Sequence, residues 1–157
     1  VSAKPSKRPL AGRGPHRFSL TLRSKLCELE RLCCKLQEIG ARLGISPRCL
    51  FEVNLILDEL FTNIISYGFV DAGEEHAVRI AFTVAGDRLV VVVRDDGIPF
   101  NPIARRSPEL PCAIEDCQIG GLGIHLIKNL VDEVSYRRSD GTNILTFKKR
   151  LEFDRPQ

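Results

Sequence analysis

Glu59 and Asn63 stand one helical turn apart in a segment, Leu50 to Ile65, whose apolar residues Leu50, Phe51, Val53, Leu55, Ile56, Leu57, Leu60, Phe61, Ile64 and Ile65 run nearly all round a helix. Residues four apart share a helix face, and a helix apolar on all sides is expected to be buried. Glu52 and Ser66 extend the same polar stripe. A carboxylate there is costly unless something compensates it, and no Lys or Arg occurs between Arg48 and Arg79. A bound cation or ordered water is a natural partner; an exposed stripe on an otherwise buried helix fits the same pattern. Further on, Val90-Val91-Val92-Val93-Arg94 ends in Asp95-Asp96-Gly97. This places an acid at a strand end, with a glycine allowing close approach. Such an Asp accepts a hydrogen bond from the exocyclic amine of a base, although Asp-Gly also serves plain turns. Gly120-Gly121-Leu122-Gly123 precedes a helical pattern and offers unhindered backbone N–H groups at a positive helix end, a setting for phosphate. It is neither G-x-G-x-x-G nor a Walker P-loop, whose Lys-[Ser/Thr] ending is missing.

These groups need elements to position them. Arg17 to Leu22 alternates as a half-buried strand, and Ser24 to Leu43 carries Leu26, Leu29, Leu32, Cys33, Leu36 and Ile39 at helical spacing. Ser46-Pro47 supplies an N-cap and a first-position Pro for a second helix reaching Tyr67, stopped by Gly68. Strands follow at 77–84 and 89–94 around a turn at Ala85-Gly86-Asp87-Arg88. A long loop covers 95–119, a helix 122–131, and strands 133–138 and 142–151 close the chain. A loop of that length in a compact domain is usually functional or mobile. The order predicts an α+β fold, a two-layer α/β sandwich with helices on one face of a largely antiparallel sheet. The domain is expected over 17–151, with a basic tail at 1–16 and a C-terminal tail at 152–157.

At 157 residues the chain suits one domain, and 43% hydrophobic with 27% charged residues fits a soluble globular protein. No apolar run approaches the roughly 18 residues of a membrane span. The charge of +3 is concentrated in Lys4, Lys7, Arg8, Arg13 and Arg17. That stretch also holds Pro5, Pro9, Gly12, Gly14 and Pro15 and lacks the apolar region of a secretory signal, so it reads as a disordered lead-in. Without stacking aromatics its charges point to solubility rather than to nucleic acid, and the missing initiator Met suggests that the natural start lies elsewhere. Of six cysteines, Cys27, Cys33 and Cys34 fall in the first helical pattern, Cys112 and Cys117 in the long loop, and no C-x-x-C occurs. Reduced thiols are expected rather than a disulfide framework or metal site.

Taken in order, Glu59-Leu60-x-x-Asn63, Asp95-x-Gly97, Gly121-Leu122-Gly123 and Gly141-Thr142 resemble the N box, the two glycine boxes and the terminal Thr of the GHKL ATPase superfamily, over about residues 17–151. Within it, Asp95-Asp96-Gly97-Ile98-Pro99-Phe100-Asn101-Pro102 and Gly120 to Ile127 are most similar to the anti-sigma serine kinases. The resemblance implies the Bergerat-type sandwich, ATP and Mg²⁺ as cofactors, a cytoplasmic homodimer, and two protein partners: a sigma factor and an anti-anti-sigma protein phosphorylated on serine. It implies Mg²⁺ ligation by Asn63, and orientation or deprotonation of the attacking hydroxyl by Glu59. Asp95 would hold the adenine amine, Gly97 would admit the base, and Thr142 would make a water-mediated contact to it. Gly121, Leu122 and Gly123 would cradle phosphate, with the preceding loop as lid.

Asn101 stands where such relatives often have Asp, which bears on the lid. His125 is read as a packing or surface residue, and Asp58, rotated about 100° from Glu59, as a cap or surface partner. An ATP-responsive switch without phosphotransfer would retain Asn63 and Asp95. A sensor histidine kinase fragment would need a phosphoacceptor His in a dimerisation hairpin, and none lies between His16 and His76.

Overall fold

The computed structural model describes residues 14–70, 75–104 and 127–154. Strand β1 (His16–Arg23) leads to helix α1 (Leu29–Leu43) and helix α2 (Pro47–Tyr67); β2 (Ala77–Ala85), β3 (Arg88–Asp95), β4 (Glu133–Ser139) and β5 (Thr142–Arg150) complete one sheet. Its order is β1-β2-β3-β5-β4, antiparallel at every pairing. An antiparallel sheet with α1 and α2 packed on it is the α+β arrangement that the element order predicts.

Helix α1 begins later than the apolar spacing suggests. Ser24 is held by the start of β2, its N–H donating to the His76 carbonyl (2.9 Å) and its hydroxyl accepting the His76 N–H (3.3 Å). Lys25 is consequently extended, and a single 3-10 turn at Leu26–Glu28 precedes α1. Helix α2 starts as its capping residues dictate: Ser46 Oγ accepts the Cys49 N–H and Pro47 takes the first turn, where a missing N–H costs nothing. Gly68 ends it, donating to the Ile64 carbonyl (2.7 Å).

Leu32, Leu36 and Ile39 of α1 pack with Val53, Leu57, Leu60 and Phe61 of α2 onto Val78, Ile80, Phe82, Val91, Val93 and Phe147 of the sheet, all buried. Each such side chain contributes about 1.5–3 kcal/mol on leaving water. Phe51, one of the apolar residues expected inside, is 68% exposed; it lies on the face of α2 turned away from the sheet. Cys49 is buried, Cys33 half-buried, and Cys27 and Cys34 are exposed, all four free thiols. Cys34 is thus no part of the core. Cys112, Cys117 and the basic residues up to Arg13 lie outside the described residues.

Two ties fix the ends of the layer. Lys149, 11% exposed at its side chain, pairs with Glu52 of α2 (2.8 Å) and donates to the Leu130 carbonyl (2.7 Å) at the end of the helical residues 127–130. Glu52 therefore has two cations, Lys149 from a strand far along the chain and Arg48 one turn earlier in α2 (3.2 Å), and Lys149 foremost draws its carboxyl below the ordinary range. At the other end, residues 152–154, expected to be tail, pair with 44–46: Ser46 N–H donates to the Glu152 carbonyl (2.8 Å), Asp154 N–H donates to Gly44 (3.0 Å), and Phe153 packs on the core.

Candidate functional site

Beside the last two turns of α2, the sheet and helix layers part to leave a pocket. Leu60, Asn63, Ile64 and Gly68 line it from α2, Val93 and Asp95 from β3, Tyr136 from β4, Asn143 and Leu145 from β5, and Phe100 from the segment after β3. Its empty volume, with the mouth and open solvent included, is about 400 Å³. The walls are mainly apolar, with three buried polar side chains, Asn63, Asp95 and Asn143.

Asp95 sits where strand alternation turns it inward, in line with the buried Val91 and Val93. Its Oδ1 accepts the Gly97 N–H (3.0 Å) and the Asn143 Nδ2 (2.8 Å). Burial pushes its carboxyl above the ordinary aspartate range, opposed by these two donors. Its neighbour Asp96 faces away, with Oδ1 3.4 Å from His76 Nδ1. The following turn is fastened to α2, because Ile98 N–H donates to the Gly68 carbonyl (2.7 Å). Gly97 is required here for space: a Cβ on it would lie 2.3 Å from the Gly68 oxygen and 2.9 Å from Asp95 Oδ1.

Asn63 is 7% exposed, and its Nδ2 is buried without a partner among the described residues. A buried amide with an unmet end calls for explanation, and a ligand in the pocket would provide one. Its oxygen is a hard donor of the kind Mg²⁺ takes alongside phosphate oxygens and water. Among the described residues no cluster of three His, Cys, Asp or Glu side chains could hold a metal by itself. Glu59, one turn earlier, is half-buried and lies outside the pocket lining. Asp58 beside it accepts from Asn54 Nδ2 (2.8 Å), and burial lifts its carboxyl above the ordinary range.

Of the residues singled out in the sequence, Asn63 and Asp95 therefore share one pocket, with Gly97 against its rim. Thr142 opens β5 opposite Ser139, one residue from Asn143 and so on the other face of the strand. Asn143 is the residue placed across from Asp95. Gly121, Leu122, Gly123 and His125 lie outside the described residues. Tyr136, Asn143 and Phe100 line the pocket without having stood out in the sequence. Asn143, next to Gly141-Thr142, was the one that strand alternation could have flagged.

Residues 22–149 match the family described as the histidine kinase-like ATPase domain. The chain is 32% identical over 111 residues to the serine/threonine-protein kinase BtrW of Bordetella bronchiseptica, covering 71% of this chain and 78% of that protein. It is 30% identical over 118 residues to the serine-protein kinase RsbW of Listeria monocytogenes, covering 72% and 74%. Among solved structures, the RsbU and RsbW domains of a Mycobacterium tuberculosis protein align with a TM-score of 0.62 at 18% identity, over 87% of this chain. This chain spans 32% of that longer one. The histidine kinase domain of a blue-light activated kinase from Erythrobacter litoralis aligns at 0.50 and 18% identity, over 80% of this chain and 60% of that one. At these identities the structural likenesses speak for the fold. Among the described residues no helix is long and apolar enough to cross a membrane.

Proposed function

We propose that this chain, which belongs to the histidine kinase-like ATPase domain family and is a protein serine/threonine kinase like its relatives, binds ATP in the pocket between α2 and the sheet. The phosphate acceptor is a serine of an anti-anti-sigma-type protein; a sigma factor is the second partner, and the setting is the cytoplasm of a bacterium. The observation that carries the reading is Asp95, a buried carboxylate fixed through one oxygen in a mostly apolar pocket shared with Asn63. That combination suits a flat apolar ring bearing an amine, with a charged tail leading toward α2.

The exocyclic amine of adenine donates to Asp95 Oδ2 while Ile64, Val93, Phe100 and Leu145 enclose the ring. Mg²⁺, when bound, would offset the charge of the phosphate oxygens, and the Asn63 amide oxygen is the protein donor that would hold it. Glu59 orients the serine hydroxyl and takes its proton as the oxygen attacks the γ-phosphorus and the bond to the leaving diphosphate breaks. A positioned base contributes about 10²–10⁴-fold, so Glu59→Gln is expected to lower phosphotransfer by that factor and leave the ATP dissociation constant within about threefold.

The test is calorimetric titration of Mg²⁺-ATP, followed by transfer from γ-labelled ATP to a serine-bearing anti-anti-sigma protein of the same genome. Micromolar binding abolished by Asp95→Ala and by Asn63→Ala, with transfer lost in Glu59→Gln, supports the reading. Absence of binding at millimolar ATP sinks it, and binding without transfer reduces it to an ATP-responsive switch.

A further inference from the structure

The acidic end of the pocket is organised by a side chain outside the motifs. Asn143 is 4% exposed and directly opposite Asp95 in the β3–β5 ladder. A primary amide donates two hydrogen bonds through nitrogen and accepts two through oxygen, and Asn143 makes all four. Nδ2 donates to Asp95 Oδ1 and to the Ile98 carbonyl, each at 2.8 Å. Oδ1 accepts from the Tyr136 hydroxyl and from an Arg138 guanidinium nitrogen, each at 2.7 Å.

Arg138 gives this arrangement its direction. A hydroxyl donates or accepts as required, so Tyr136 alone would tolerate either orientation of the amide; a guanidinium only donates. Turning the amide over would set its N–H groups against the guanidinium, and its oxygen against a carboxylate and a carbonyl. The same Arg138 nitrogen donates to the Gly97 carbonyl (2.9 Å), so one cation fixes both the amide and the turn after β3. Asp95 Oδ1 then carries two donors, from Asn143 and Gly97, and the carboxylate cannot rotate without losing both. Its Oδ2 is left as the acceptor.

Packing does not account for an Asn at this place. Leu145 and Phe147, next on the same face of β5, fill the core without polar groups to satisfy, and a buried polar network is worth having only when every member is satisfied. We infer that Asn143, oriented by Arg138 and Tyr136, makes this pocket select a 6-aminopurine nucleotide over a 6-oxopurine one, by holding Asp95 with a single bare acceptor oxygen toward the base. A 6-amino group donates to that oxygen, whereas a 6-oxo group presents a second acceptor to it. Asn143 acts through Asp95 and is a positioning residue. The inference rests on the nucleotide-site reading above and extends it to the choice of base.

ATP and ITP share ribose and triphosphate and differ at the purine 6-position and the N1 proton that accompanies it, which makes them the probes. Dissociation constants of both, with Mg²⁺, are measured for the full chain, for Asn143→Leu and for Arg138→Met, the latter at an exposed position that a folded chain tolerates. A hydrogen bond to a charged group is worth enough that the ATP-over-ITP preference should fall about tenfold in Asn143→Leu, mostly through weaker ATP binding, and by a smaller factor in Arg138→Met. Equal weakening of both nucleotides, with the preference kept, would show that Asn143 only supports the fold and overturns the inference. A preference unchanged in both variants overturns it as well while leaving the ATP site standing; failure of the unsubstituted chain to bind either nucleotide removes the site and the inference together.

Discussion

At the sheet end of the pocket every hydrogen-bonding position of Asn143 is filled, whereas on α2 three polar atoms, Asn63 Nδ2, Asn54 Oδ1 and Asp58 Oδ1, are buried without a partner among the described residues. The two sets differ in what surrounds them. Three adjacent strands and a fastened turn supply donors and acceptors from several directions. A helix has its own backbone groups committed internally and offers neighbours only one turn away, of which Asn54 and Asp58 bring mainly acceptors to each other. The completed network suits a group that must recognise one orientation of a base. Of the incomplete set only Asn63 lines the pocket, and its unmet N–H is what a ligand there could use.

The sharpest way to break this contrast is Asp95→Asn. The replacement keeps an oxygen for the Gly97 and Asn143 donors and exchanges the bare acceptor for a donor. ATP affinity is expected to fall about 100-fold, since a buried polar group facing the wrong partner is strongly rejected. Stability should move the other way. Burial raises the Asp95 carboxyl, so the folded chain binds this proton more tightly than the unfolded chain, and stability is lost as pH rises from the ordinary aspartate range through the raised value. Removing the charge abolishes that loss, and thermal melting at pH 7 should show a higher Tm than the parent. A lower Tm together with lost binding would mean that Asp95 holds the fold rather than a ligand.

Gly97→Ala tests the fastening of the turn. The added methyl meets a backbone oxygen that belongs to α2, and overpacking of this kind costs about 1–3 kcal/mol. Denaturant titration giving unchanged stability would show that the turn can part from Gly68, and that the sheet end is less rigid than its hydrogen bonds suggest.

The smallest effect is expected at Asp58. Its carboxyl is likewise raised by burial, ahead of the opposing Asn54 donor, so its contribution also falls as pH rises through that range. Asp58→Asn supplies a donor beside the unmet Asn54 oxygen, and should add about 1 kcal/mol to stability at neutral pH while flattening the acid side of the pH–stability curve. A loss of stability would place Asp58 among groups that need their charge, as Glu52 does opposite Lys149.

Much of this was legible in the chain itself. Ser46-Pro47 and Gly68 bound α2 because capping is local chemistry, alternation marked β1, and β-branched richness around a turn marked β2 and β3, each to within a residue. Helical spacing put Asn63 on a definable face, and the end of a valine run located Asp95. What stayed hidden depends on contacts between distant segments. The buried cation that joins Arg48 on Glu52 comes from β5, the acceptor for Ile98 N–H from the end of α2, and the donors that orient Asn143 from β4. Thr142 and Asn143 show the limit most clearly. Motif spacing finds the beginning of β5, but which of two consecutive residues faces inward is decided by pairing with β3, where a shift of one position exchanges the faces.

The order of the sheet has a consequence for how such a chain can change. β3 ends at Asp95 and β4 begins at Glu133, and both are hydrogen-bonded to β5. The residues between them thus leave and rejoin the sheet on either side of one central strand, so the ladder holds both ends of this connection whatever lies within it. Loop-closure entropy grows only with the logarithm of length, about 0.6 kcal/mol for each doubling. A change in the length of the connection between β3 and β4 therefore costs little, provided the residues fastened to the fold near its two ends, Gly97 and Ile98 on one side and Ile127 and Leu130 on the other, are kept.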